Sequence, residues 1–71
     1  MNDLIFFKSF PSIIEAELFK NILKSENIGS IIKDSGLKFS GDLGDVYGAN
    51  LFVWEKDLKK TKEILKREKI E

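Results

Sequence analysis

Neither cysteine nor histidine occurs anywhere in this chain. The first absence excludes disulfides and thiolate metal sites. The second removes the commonest transition-metal ligand and the usual general base near neutral pH. Serines are present, but none has a visible activating base, and no pair of carboxylates stands on a rigid frame. Hydrolytic and glycosidic chemistry therefore lack their parts, and a non-enzymatic protein with no cofactor and no metal is expected. An excess of one charge is missing as well. Twelve basic and twelve acidic side chains cancel, which disfavours nucleic acid and anionic membranes as partners. No apolar run approaches the roughly 18 residues of a bilayer-spanning helix, and the opening residues MNDLIFFKSF carry neither a basic leader nor a small-residue cleavage site, so a cytoplasmic protein with no membrane partner is expected.

The chain is also short. Its 71 residues make a single domain, 1–71, that buries only about 60 % of its unfolded surface. A small domain without staples or metal often relies on well-packed elements or on oligomerisation, so a homo-oligomer, dimer or trimer, is a reasonable expectation.

What is present is organised around Ser12 to Asn27, SIIEAELFKNILKSEN. Ser12 and Glu15 have the spacing of a capping box, and Pro11 biases Phe10 toward an extended backbone ahead of it. Ala16, Leu18, Phe19, Ile22 and Leu23 recur at helical spacing and predict one apolar stripe. Asn27 tolerates the left-handed conformation that ends many helices, with Ile28 placed to fold back on the last turn.

Around this helix the pattern predicts three strands and a second helix. Leu4 to Lys8 reads as a strand, with Ile5 and Phe7 toward the helices and Leu4 and Phe6 away from them. Ile28 to Lys33 reads as a second strand, Ile28 and Ile32 on one face and Ile31 on the other. Asp34 to Gly48 holds four of the five glycines and reads as a long irregular loop, the first place to look for binding. Asn50 to Trp54 restores strand character, Leu51 and Val53 on one face, Phe52 and Trp54 on the other. Lys56 to Lys69 reads as a helix that buries Leu58, Thr61, Ile64 and Leu65. A β-α-β crossover followed by an antiparallel return places the third strand between the other two. The expected fold is α+β, a ferredoxin-like β-α-β-β-α two-layer sandwich lacking the last strand, its three-stranded antiparallel or mixed sheet carrying both helices on one face. The first strand is left on an edge, open to pairing with another chain.

The run IEAELFKNILKSENIGSIIKDSG, a glycine-bearing loop, and then LFVWEKDLKKTKEILK resemble the putative prokaryotic signal-transducing proteins across nearly the whole chain. Glu15 and Ala16, the helix exit from Leu23 to Ile28, and Val53, Asp57 and Leu58 carry the likeness most clearly. The resemblance implies a GlnB-like (PII-like) fold and a signalling role in which a small effector binds near a long loop. Two departures stand out. Asn27 replaces a more usual glycine, and Thr61 replaces a small apolar residue, so that its hydroxyl needs a local partner such as the carbonyl one turn earlier.

The loop has the GxxxxG spacing at Gly36 to Gly41, but Asp42 and Leu43 follow where a phosphate-binding loop needs Lys and Ser or Thr. Asp42 and Asp45 repel phosphate and lack the ligand series of a calcium loop. Turn formation is the expected role of Ser40, Gly41, Asp42, Gly44 and Asp45. The aromatics say more. Phe6, Phe52 and Trp54 share the face away from the helices, with Phe39 and Tyr47 flanking the loop beside them. Either this face contacts a subunit, protein partner or small effector, or the loop folds back and buries the rings. The candidate binding residues are Phe39, Gly41, Asp42, Gly44, Asp45, Tyr47, Gly48, Phe52 and Trp54. A competing reading places nucleic acid on the lysine side of the second helix, Lys59, Lys62, Lys66 and Lys69, which otherwise forms a solvated face.

Overall fold

The computed structural model describes the backbone of residues 3–41 and 44–68 and, within these, the side chains of 3–34 and 48–68. The elements run β1 (Leu4–Phe10), α1 (Ile13–Ser25), β2 (Ser30–Gly41), β3 (Gly44–Trp54), a single 3₁₀ turn (Glu55–Asp57) and α2 (Leu58–Glu68). The sheet order is β1-β3-β2, and β3 is antiparallel to both neighbours. The architecture is thus a small α+β fold with a three-stranded antiparallel sheet and two helices, and its third strand is central, as the hairpin return predicts.

β1 is longer than its apolar run suggests, and a bulge explains why. Phe6 pairs with Phe52 and Lys8 with Leu51, so Phe7 is an extra residue. Strict alternation would send Phe7 and Phe10 to opposite faces. The inserted residue resets the phase, and both rings lie 5.9 Å from the Phe19 ring of α1. Phe10 is consequently almost fully buried.

α1 has the ends its sequence specifies. The Glu15 N–H donates to Ser12 Oγ at 3.2 Å, and the hydroxyl donates to Glu15 Oε2 at 3.4 Å. Asn27 takes φ 64°. Beyond the last turn, the Ile28 N–H reaches the Leu23 carbonyl at 2.9 Å and the Asn27 N–H reaches that of Lys24 at 3.0 Å. These are the paired bonds of a Schellman motif, and they deliver Ile28 into the core. Ala16, Phe19 and Leu23 are completely buried. Leu18 is not part of their stripe: it is 60 % exposed. At 100° per residue it lies about 130° round the helix from the centre of that trio, too far to reach the sheet.

The largest departure from the sequence reading lies between Asp34 and Gly48. This segment is not an irregular loop. β2 continues to Gly41 and β3 begins at Gly44, with Lys38 opposite Tyr47, Phe39 opposite Val46, Ser40 opposite Asp45 and Gly41 opposite Gly44. Between Asp34 and Lys38 the register shifts: four steps on β2 match two on β3, so the alternation that would identify a strand is interrupted. At about 3.3 Å per residue the 11 residues of β3 span about 36 Å, most of the molecule's 41 Å long axis. The hairpin projects along the sheet and does not fold back over it.

α2 closes the core from the other end. Thr61 and Ile64 are buried, with Leu58 and Leu65 packed against the same cluster. The Thr61 hydroxyl donates to the Asp57 carbonyl at 2.7 Å, one turn earlier, which satisfies a polar group that has no solvent. Both helices therefore meet Ala49, Leu51 and Val53 in one core. At the periphery an Arg67 Nη2 to Glu26 Oε2 contact of 2.6 Å ties α2 to the exit of α1.

Candidate functional site

Opposite residues of an antiparallel sheet share a face, so the register alone lays out the side away from the helices. Its first row is Leu4 and Trp54. The second is Phe6, Phe52 and Ile31, and the third is Ser9, Asn50 and Lys33. Two rows are apolar and the third is polar. On the covered side, the intervening residues Leu51 and Val53 are wholly buried.

The open rows pack among themselves but keep solvent contact. Phe6 and Phe52 meet edge to face at 5.8 Å and 74°. Phe6 remains 50 % exposed and Ile31 37 %. Phe52 and Trp54 are half-buried, and the Trp54 indole lies beside Gly29, where an added Cβ would stand 3.6 Å from Nε1. The Lys33 ammonium sits 5.0 Å from the Phe52 ring centre, which brings a cation over the apolar rows. In the polar row the Ser9 hydroxyl donates to Asn50 Oδ1 at 2.6 Å. At the opposite end the Glu55 N–H donates to the Asp3 carbonyl at 2.8 Å, which carries the β1–β3 pairing one residue past Leu4 and Trp54.

The candidate residues drawn from the sequence do not all come together here. Phe52 and Trp54 belong to this face. Gly48 is buried within the sheet. Phe39, Gly41, Gly44, Asp45 and Tyr47 are fixed by backbone pairing in the projecting hairpin, and Asp42 lies outside the described residues. Gly44 is ten positions from Trp54 along β3, about 33 Å, so the hairpin tip and the indole are separate places and not one site. Lys33 was not singled out by sequence reasoning, although it is two positions from Ile31 and so shares its face. The α1 pair Ile14 and Leu18, 72 % and 60 % exposed, forms a second, smaller apolar spot that the helical periodicity misassigned in part.

Among the described residues no group of three or more acidic side chains is placed to hold a metal ion, and no helix is long and apolar enough to cross a membrane. The exposed Lys59, Lys62 and Lys66 of α2 stand apart from the open face, and Lys69 lies outside the described residues. Among the described residues the face presents two apolar rows, one cation, a hydroxyl and an amide.

Residues 8–69 match the model of a family described as putative prokaryotic signal transducing protein. No curated protein and no solved structure matches the chain.

Proposed function

The chain belongs to the family of putative prokaryotic signal transducing proteins, and from that premise we propose a non-enzymatic regulatory domain that acts by reversible self-association through its open sheet face. The frame is read as ferredoxin-like, of the GlnB type and without the last strand, and the setting as cytoplasmic. A small effector or protein partner at the Gly41 to Gly48 hairpin or at Trp54 would bias the association. The observation that carries the reading is the row of exposed Phe6 and Ile31 with half-buried Phe52 between them, beside Leu4 and Trp54. A contiguous apolar surface of this kind on a small chain is a contact surface more often than an accident.

The edges of the sheet are poorer candidates than its face. β1 carries the bulge at Phe7 and a lysine at position 8, both of which deter strand addition. The face is small: three strands about 4.8 Å apart and three rows about 6.7 Å apart enclose a few hundred Å², at the low end of specific interfaces. A weak, reversible dimer suits a signalling role.

Sedimentation equilibrium from micromolar to millimolar concentration tests this. The average mass is expected to rise toward the dimer, and Phe52→Ser is expected to hold it at the monomer while the circular dichroism stays unchanged. A parent chain that remains monomeric throughout would end the proposal. A thermal-shift screen of metabolites addresses the effector, since a ligand of the folded state raises apparent stability.

A further inference from the structure

We infer that α2, together with the 3₁₀ turn leading into it, is a releasable roof: it leaves the core as one unit while β1, α1, β2 and β3 stay folded, and the Arg67–Glu26 pair is its catch. This goes beyond the association proposed above and does not depend on it. The two helices hold the core unequally. α1 sinks Ala16, Phe19 and Leu23 completely, sets Phe19 against Phe7 and Phe10 of β1, and passes Ile28 into the cluster through its capped exit. α2 buries Thr61 and Ile64, with Leu58 and Leu65 partly covered, and the rest of the helix is charged. Its burial therefore stabilises less than that of α1. Its start adds little. Lys59 and Lys60 stand in the first turn, where the helix dipole disfavours cations, and no acidic residue shares that turn, although Asp57 just ahead offsets part of this. Its 11 residues are also too few for a helix that persists alone in water, so α2 is held in shape by its docking.

The unit carries its buried polar contact with it. The Thr61 hydroxyl donates to the Asp57 carbonyl at 2.7 Å, inside the same unit, so departure strands neither partner in the core. The pivot is defined as well. The Glu55 N–H is pinned to the Asp3 carbonyl at 2.8 Å, and the 3₁₀ turn Glu55–Asp57 buries no residue. At the far end of α2 the catch is Arg67 Nη2 on Glu26 Oε2 at 2.6 Å, both side chains in contact with solvent, a pair that adds little and yields easily. Segments with few buried apolar contacts open below the free energy of global unfolding. Opening withdraws Ile64 from the cluster that contains Leu51 and Val53 and bares apolar surface on the helix side of β3, a second contact surface that the closed form keeps shut.

Hydrogen exchange read by mass spectrometry, at low micromolar concentration and in rising urea below the unfolding transition, tests this. Relative to their unstructured rates, amides of α2 are expected to exchange at least about tenfold faster than those of α1 and of Asn50 to Val53. They are also expected to respond weakly to urea, because this opening exposes less surface than global unfolding. Phe19→Leu is expected to speed exchange in α1 and β3 about tenfold and to leave α2 unchanged, since the Phe19 ring meets β1 in the open and closed forms alike. Arg67→Gln is expected to speed exchange in α2 about twofold. An α2 protected as strongly as β3 in the parent, or one that speeds in step with α1 in Phe19→Leu, would show that the helix leaves only when the whole chain unfolds and would overturn the inference. The parent comparison decides whether or not Phe19→Leu folds. An Arg67→Gln chain whose α2 exchanges no faster than that of the parent would overturn the catch.

Discussion

β3 supplies alternate residues to two surfaces that have opposite fates. Leu51 and Val53 lie under the helices without measurable exposure. Phe52 and Trp54, one position away in each case, sit half-buried on the opposite side of the sheet, which no helix among the described residues covers. Both pairs are apolar, so hydrophobicity does not distinguish them. What does is whether a helix was available to roof that side, and a chain with two helices on one layer has roofed only one. The covered side is where folding free energy comes from, and the bare side is where that free energy has been left unspent.

The first consequence is a separation of stability from association. Phe19→Ala removes a completely buried ring that meets both Phe7 and Phe10, and is expected to destabilise the monomer by about 3–5 kcal/mol. Phe6→Ala, on the bare side, is expected to cost under about 1 kcal/mol and instead to abolish the concentration dependence of sedimentation. Urea unfolding at low protein concentration measures both. Comparable losses would mean that the two faces do not differ in the way their burial indicates.

A smaller effect sharpens the same contrast at the point where the chain leaves α1 for the sheet. Asn27 holds φ 64°, and the bonds of that turn set Ile28 among the covered residues. Asn27→Val forces a β-branched side chain into the left-handed region and is expected to cost about 1–2 kcal/mol. Asn27→Gly is expected to change stability by a few tenths of a kcal/mol, because glycine meets no steric penalty there. Thermal denaturation of the two variants decides it. Equal losses would show that the side-chain chemistry of Asn27, and not its backbone, holds the exit.

Much of the covered side was legible in the sequence because its signals are local. The Ser12 cap, the left-handed Asn27, the phase of Leu51 and Val53, and the need of Thr61 for a carbonyl one turn back each depend on a few neighbouring residues. The hairpin was not legible for the opposite reason. Residues 34–48 are rich in glycine, and their register shift between Asp34 and Lys38 erases the period of two. They are strands because they pair with each other, which no single stretch records. The Phe7 bulge was hidden likewise, since it is defined by two residues on β1 facing one on β3. Leu18 differs again: its spacing is close to that of the apolar stripe, but the helix turns it away from the sheet, and it is 60 % exposed. The open face could be foreseen as two sets of rings, but Lys33 joined it only once β2 was known to lie directly beside β3.

The weakest expected effect lies at the edge of the covered side, where Arg67 reaches from α2 to Glu26 at the exit of α1. The hydrogen bond from Arg67, followed by its charge, lowers the Glu26 carboxyl from its ordinary 4.5. A group whose folded value is depressed contributes stability that is fully present above the unfolded value and is lost as pH falls through the folded one. Arg67→Gln should therefore lower the thermal midpoint slightly and uniformly above about pH 5, and the two chains should converge as the solution is acidified past the folded Glu26 value. In the same variant a carbon-detected titration of the Glu26 carboxyl should move back toward 4.5. Both side chains are solvent-facing, so molar salt is expected to remove most of the difference. A variant that lost as much stability as Phe19→Ala would place the ion pair among the groups that hold the covered face together, and the division between a stabilising interior and a dispensable rim would have to be redrawn there.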